Sequence, residues 1–471
     1  MTDIYYMPAA EMTAAIRAKQ ISPLEVIDKI LERIEVLNPQ LRAFISASEN
    51  TSRDQAREAE SAIMRGDELG PLHGVPVSVK DNLFTEGIKT TYGSRVYEAF
   101  VPDKDDAAVE RLKSAGAIIL GKTNLPEFGY KASSMNTVFG TTPNPWNLEK
   151  TSGGSSGGAA VAVAAGMGPL ALGTDAGGSA RIPCSFCGIY GIKPQAGRVP
   201  GGPGFRPLRD LGHTCPMTRT VEDAALMLDA IASPEASGFS KLPPKGISYL
   251  GSLNRNIRGL RIGWSRDLGY LPVRKEIQEI TESAVSIFEE LGCKVEEARI
   301  NLEGCEEIFR CIAWAEWYWR FKETLRKHGP LLDPGFVELL EKGKRITIDQ
   351  YLRAQDERAD FFMKMKRSFG TFDLLLTPAV STEAFERDRD VPNEVVTGTG
   401  RWSKGWTLFS LPFSLTGQPA ASVPCGYTSE GLPVGLQIVG KPFDEISVLN
   451  ASAAFEEVTQ WAADFPPEIR N

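Results

Sequence analysis

Two serines set in glycine, and one lysine at the end of an apolar run, are the residues of this chain best suited to covalent chemistry. The first serine lies in Gly153-Gly154-Ser155-Ser156-Gly157-Gly158, the second in Asp175-Ala176-Gly177-Gly178-Ser179-Ala180-Arg181. A serine hydroxyl is a weak nucleophile until a base takes its proton. Histidine is the usual base, and the 471 residues hold only His73, His213 and His328. A desolvated lysine can replace it, because burial lowers an ammonium pKa. Serine–lysine pairs are established variants of the serine triad. Lys80 closes Val75-Pro76-Val77-Ser78-Val79 and precedes Asp81-Asn82, the end of an expected buried strand. Spacing alone does not bring it to either serine, and a lysine read in isolation is a surface residue.

The first glycine-serine run has two plainer readings, a flexible linker and a phosphate cradle at a helix N-terminus. The linker fails, because the Ala/Val segment Ala159 to Ala165 follows at once and reads as a helix. In the second block, the amides of Ala176, Gly177, Gly178 and Ser179 could converge on one oxygen. That would be an oxyanion hole, in which each donor is worth roughly 10² to 10³ in rate. The plain alternative is a tight turn closed by a capping serine.

Alternating short strands and helices must carry these groups, which argues for an α/β fold with a mixed central sheet flanked by helices on both sides. Residues 8 to 66 read as helical, with Ser22-Pro23-Leu24-Glu25 as a start signal and Glu25 completing a capping box. Strands are expected at 75–79, 117–120, 170–172, 189–192, 373–378, 419–424 and 432–439. Helices are expected at 105–115, 159–165, 273–291, 302–327, 347–367 and 446–459. Segments 193–206 and 233–252 read as loops, the second a surface excursion. One domain over 1–471 is expected: a core at about 70–230, a variable helical and loop region at about 233–370, and C-terminal strands and a helix at about 371–465.

Bulk composition narrows the function. The apolar fraction of 42% and charged fraction of 24% are those of a soluble globular protein. A net charge of −8 argues against a nucleic-acid surface. Seven scattered cysteines fit a reducing compartment better than a disulfide framework. The N-terminus lacks a secretory signal and no apolar run is long enough to span a bilayer, so the expected location is cytoplasmic.

Three further patterns yield to plainer readings. Gly116-Ala117-Ile118-Ile119-Leu120-Gly121-Lys122-Thr123 matches a P-loop letter by letter, but its middle reads as strand rather than phosphate-wrapping loop. Cys184 and Cys187 form a C-x-x-C without a second ligand pair, so buried thiols are expected and no metal. Trp314, Trp317, Tyr318 and Trp319 read first as core, with part of the cluster a candidate wall for an acyl or aryl pocket. Trp402, Trp406 and Phe409 read the same way.

Taken together, the blocks resemble the amidase signature family of serine hydrolases. The likeness includes Pro71-Leu72-His73-Gly74-Val75-Pro76 leading into Lys80-Asp81, then Gly121-Lys122-Thr123-Asn124, Glu127-Phe128 and Asn144-Pro145-Trp146. It takes in both serine blocks, Phe186-Cys187-Gly188 and Gly191-Ile192-Lys193-Pro194. Gly417-Gln418-Pro419-Ala420 and Gly431 to Gln437 also fit. The resemblance is strong over about 70–230 and looser over about 370–460. It implies Ser179 as nucleophile, Lys80 as general base and Ser155 as bridging serine after a cis peptide. It implies Ala176 to Ser179 as the oxyanion hole, with Ser156, Asp175 and Arg181 in support. The implied reaction is hydrolysis of a carboxylic amide through an acyl-enzyme, without cofactor. The implied partner is a small-molecule amide, with room for a homo-oligomer and none for nucleic acid or membrane.

Two departures stand out: Gln195-Ala196 follows Pro194 where the family often has Thr, and Cys215 precedes Pro216-Met217 where it usually has Gly. Both are expected to bear on loop shape or specificity. Esterase chemistry on the same groups is one rival. The glutaminase subunit of a transfer-RNA-dependent amidotransferase shares the motifs too, although residues 335–352 do not resemble its basic segment. A non-catalytic binding or scaffold protein is the rival from another class.

Overall fold

The computed structural model describes residues 3–201, 208–232, 248–392 and 405–469. The N-terminal part holds α1 (Ala9–Arg17), α2 (Pro23–Leu41), β1 (Phe44–Ala47), α3 (Glu49–Arg65), β2 (Pro76–Lys80), α4 (Ala107–Ser114) and β3 (Ile118–Thr123). There follow α5 (Gly157–Ala164), β4 (Leu170–Asp175), α6 (Arg181–Cys187), β5 (Tyr190–Lys193), β6 (His213–Thr218) and α7 (Val221–Ile231). Next come β7 (Arg261–Trp264), α8 (Lys275–Glu290), β8 (Lys294–Glu297), α9 (Cys305–His328), α10 (Pro334–Gly343) and α11 (Ile348–Phe369). The chain closes with β9 (Leu374–Pro378), α12 (Leu411–Leu415), β10 (Ala420–Tyr427), β11 (Pro433–Gly440) and α13 (Glu445–Thr459).

All eleven of these strands join one mixed sheet in the order β1-β3-β2-β4-β6-β5-β10-β11-β9-β7-β8. Pairing is parallel for β2 with β3 and β4, and for β7 with β9 and β8. It is antiparallel through β4-β6-β5-β10-β11-β9 and between β1 and β3. Side chains alternate between the two faces of a strand. Yet every residue of β2, β9 and β11 is buried, so helices must cover both faces, as the α/β reading requires. Among the described residues no helix is long and apolar enough to cross a membrane.

Several expectations need correction. The helical reading of 8–66 missed β1, a four-residue edge strand between α2 and α3. Such a segment is too short to show a period of its own. Ser22 caps α2 by accepting from the Leu24 amide at 3.0 Å, but its hydroxyl donates to Glu60 at 2.6 Å instead of joining a box with Glu25. The region read as helix and loop supplies β7, β8 and the short α10. β6 also went unread, although it lies between β4 and β5 at the middle of the sheet. Cys215 therefore sits on a central strand opposite Gly173, not in a loop. Most of the expected surface excursion, 233–247, falls outside the described residues.

The glycines that open α5 are present for contact, not flexibility. A β-carbon at Gly158 would lie 2.4 Å from the Asn124 amide nitrogen and 2.6 Å from the Ala43 carbonyl oxygen. The helix behind it is buried on every side, which small Ala and Val side chains permit. Gly158→Ala should therefore destabilise the fold by about 1–3 kcal/mol through overpacking against backbone that cannot retreat. Urea unfolding would show this as a lower midpoint at an unchanged slope.

Candidate active site

β2 and β4 run parallel, and their C-terminal ends bring Lys80, Thr174 and Asp175 to the same edge of the sheet. Crevices at carboxyl ends of strands are where open α/β sheets bind ligands. α5 starts beside that edge, and its approach places Ser155 and Ser156 on the lysine. Lys80 Nζ donates to Ser155 Oγ at 2.7 Å, Ser156 Oγ at 2.8 Å and Thr174 Oγ1 at 2.9 Å. Three hydroxyls thus surround the amine, and none of those partners is a carboxylate. The Gly154–Ser155 peptide is cis. Lys80 has no exposed surface. Burial lowers its pKa to about 7, against a partial opposing pull from Asp175.

Ser179 is tied to the first serine block through the backbone: the Ser156 amide donates to the Ser179 carbonyl at 3.0 Å. Its side chain is half-buried and opens into a cavity of about 150 Å³. Among the described residues, Ser179 Oγ has no hydrogen-bond partner.

Asp175 and Arg181 form a buried fork. Arg181 Nε and Nη2 donate to the two carboxylate oxygens at 2.9 Å each. Burial alone would raise the Asp175 pKa, but the Arg181 charge and hydrogen bonds overcome it and hold the carboxyl ionised, well below its usual range. The same guanidinium reaches the Ser410 carbonyl (3.1 Å), Gln437 Oε1 (2.7 Å) and Ser414 Oγ (3.0 Å). It therefore fastens the loop before α6 to α12 and β11.

Asp175 also accepts from the Gly178 amide at 2.8 Å. That N–H is engaged, so the expected oxyanion set loses Gly178 and keeps the amides of Ala176, Gly177 and Ser179 as candidates. All three of those residues line the cavity. Gly178 has φ +111, and a β-carbon there would fall 2.2 Å from Ser410 Oγ, so its glycine is required for geometry.

Shifted pKa values do not by themselves single out a base. Burial, followed by the charge of Arg181, also lowers Lys193 to about 7. But Lys193 Nζ donates to the carbonyls of Gln418 (2.6 Å) and Pro194 (3.2 Å), which carry no proton to give. Lys122 is depressed by burial too, with Asp81 opposing. It bonds Thr85 and Thr90 at 2.9 and 3.1 Å and the Leu83 carbonyl. It lies within β3, so the P-loop pattern is strand and no phosphate loop exists there. His213 lies behind the site, its Nδ1 3.0 Å from the Asp175 carbonyl oxygen. Burial lowers its pKa to about 3, keeping it neutral. Among these groups, Lys80 alone combines a depressed pKa with serine hydroxyls.

Sequence reasoning missed Thr174, Asn82 and the anchors Ser410, Ser414 and Gln437. Asn82 Nδ2 donates to Thr174 Oγ1 at 3.1 Å; isolated polar residues carry no spacing signal. Trp314 and Trp317 do line the cavity. Trp319 instead lies 63% exposed, with Lys322 Nζ 3.6 Å from its ring centre. Trp406 joins the cavity wall and stacks on Phe186, while Phe409 is core. Trp402 falls outside the described residues. Cys184 and Cys187 are buried free thiols on α6. Among the described residues no cluster of three or more His, Cys, Asp or Glu could hold a metal ion.

Comparison with known proteins gives the same direction. The sequence model of the family described as Amidase matches residues 25–449. The chain is 35% identical over 484 positions to a glutamyl-tRNA(Gln) amidotransferase subunit of Carboxydothermus hydrogenoformans, covering 98% of each. It is 33% identical over 469 positions to an acylamidase of Rhodococcus erythropolis, covering 99% of this chain and 98% of that one. A solved bacterial aryl acylamidase of the amidase signature family superposes with a TM-score of 0.88 at 30% identity, covering 98% of both chains. With its sheet, its Lys80–serine cluster and these full-length likenesses, the chain belongs to the amidase signature family, enzymes that hydrolyse carbon–nitrogen amide bonds.

Proposed function

We propose that this enzyme cleaves a carboxylic amide through an acyl-enzyme on Ser179, with Lys80 and Ser155 moving the proton. The observation that carries this reading is the 2.7 Å bond between a fully buried Lys80 amine and Ser155 Oγ. A neutral amine there has a lone pair for the Ser155 proton, and Ser155 in turn can take the proton of Ser179. The relay requires Ser179 Oγ to come within hydrogen-bond reach of Ser155 Oγ, and catalytic hydrogen bonds often tighten only with substrate bound.

Ser179 Oγ then attacks the amide carbon, and the carbonyl π pair moves to oxygen. The amides of Ala176, Gly177 and Ser179 are the donors offered to that oxyanion. Collapse breaks the C–N bond as the relay returns the proton to nitrogen. Water, deprotonated by the same relay, attacks the ester and releases the acid, restoring Ser179. The sum is amide plus water to acid plus amine or ammonia. Asp175 and Arg181 hold the donor loop in place. Seven free thiols support a reducing, cytoplasmic setting.

A second reading is favoured by the 35% identity to the amidotransferase protein: a glutaminase that acts within a larger assembly. Glutamine hydrolysis appearing only on addition of partner proteins would establish it.

Ser179→Ala should lower kcat/KM by at least about 10³ and abolish the fluorophosphonate adduct located by mass spectrometry. Retention of more than about a tenth of the activity would remove Ser179 from the nucleophile role.

Lys80 must be neutral to accept a proton, so activity is lost as pH falls through its pKa. A plot of kcat/KM against pH should rise with a midpoint near 7 and level off above it. An acid limb starting near pH 10, or a wild-type profile preserved in Lys80→Ala, would refute the assignment.

A further inference from the structure

The cavity has walls that the proton relay does not need. A β-carbon on Gly177 would lie 3.0 Å from Leu411 Cδ2 and 3.1 Å from the Phe309 ring, so the ground beside the candidate oxyanion donors is apolar. α9 turns Glu306, Phe309, Arg310, Trp314 and Trp317 to the cavity, positions three and four apart that share one helix face. Ile182, Trp406 and Leu408 close the other side.

Among the described residues, four charged side chains line the space: Lys131, Arg310, Glu306 and Asp390. Each is already paired. Lys131 Nζ lies 3.0 Å from Asp390 Oδ1 and 3.6 Å from Asp333 Oδ2, and Arg310 bonds Glu306. Among the described residues of the wall, two cations meet two anions, so their charges cancel. A substrate bringing its own ammonium and carboxylate would have to open these pairs or lose its water unpaired, and both are costly. A cavity of about 150 Å³ is of the size that takes a benzene ring.

We propose that this cavity selects amides bearing an uncharged aryl or medium alkyl group, and that Phe309 is the specificity-determining residue beside the reacting carbonyl. The proposal rests on the amide-hydrolase reading and names its substrate class. It places free glutamine, which carries both charges, among the poor substrates.

The test uses the full chain, with active sites counted by fluorophosphonate labelling, and compares kcat/KM for hexananilide, acetamide and L-glutamine. Hexananilide should exceed acetamide by at least about 10-fold and glutamine by about 100-fold, since each added methylene in a fitting pocket is worth roughly 10-fold or more. Phe309→Ala should shrink the hexananilide-to-acetamide ratio by about 10-fold. Phe309 is half-exposed on its helix, and the wild-type comparison stands without the variant. Labelling of Ser179 with glutamine as the best substrate, or a ratio unmoved by Phe309→Ala, would overturn the specificity proposal and leave the hydrolase reading intact. Absence of both label and hydrolysis of any of the three amides would overturn both.

Discussion

The structure turns on one buried amine that lacks a carboxylate partner. An ammonium taken out of water loses its hydration, and a nearby anion normally compensates. Lys80 is surrounded by three hydroxyls instead, and Asp175 is held by the two-pronged grip of Arg181. The carboxylate that could have kept Lys80 charged is thereby engaged elsewhere. Burial brings its pKa down to about 7, so a large share of the amine is neutral at pH 7 and in contact with serine hydroxyls. A direct Lys80–Asp175 bond would have made an inert ion pair of the same residues.

That arrangement requires close backbone approach, and the glycines supply it. The two serine blocks are joined by the Ser156 amide to the Ser179 carbonyl, which demands that the turn before α5 and the turn before α6 lie side by side. Side chains at Gly158 or Gly178 would collide with Asn124 and Ser410 respectively. The Arg181 fork then ties the second turn to α12 and β11, so the C-terminal strands, remote in sequence, hold the donor loop still. Such preorganisation matters because donors that must reorient during the reaction lose much of their value.

On the proposed reading, chemistry and selectivity come from different parts of the chain. The hydroxyls, amine and amides come from residues 80 to 181. The long wall of the cavity is one face of α9. The relatives are named for different substrates, and a reacting centre built apart from the cavity wall would allow that.

The sequence by itself determined the reacting types and much of the secondary structure. Lys80 at a strand end, serines in glycine and a scarcity of histidine were enough to propose a lysine-assisted serine. Long periodic helices such as α8 and α11 were legible because amphipathic spacing over four or more turns is hard to mistake. β1, β7 and β8, of four residues each, were too short to show a period, and β6 carries Pro216, which argues against a central strand. Only the tertiary structure decided which buried lysine faces serine hydroxyls, that the Gly178 amide belongs to Asp175, and that Lys131 pairs with Asp390 on the cavity wall. Most of these are relations between segments tens to hundreds of residues apart. Local sequence encodes a residue's capacity for hydrogen bonding and charge, while its partner is chosen by packing, which no local spacing records.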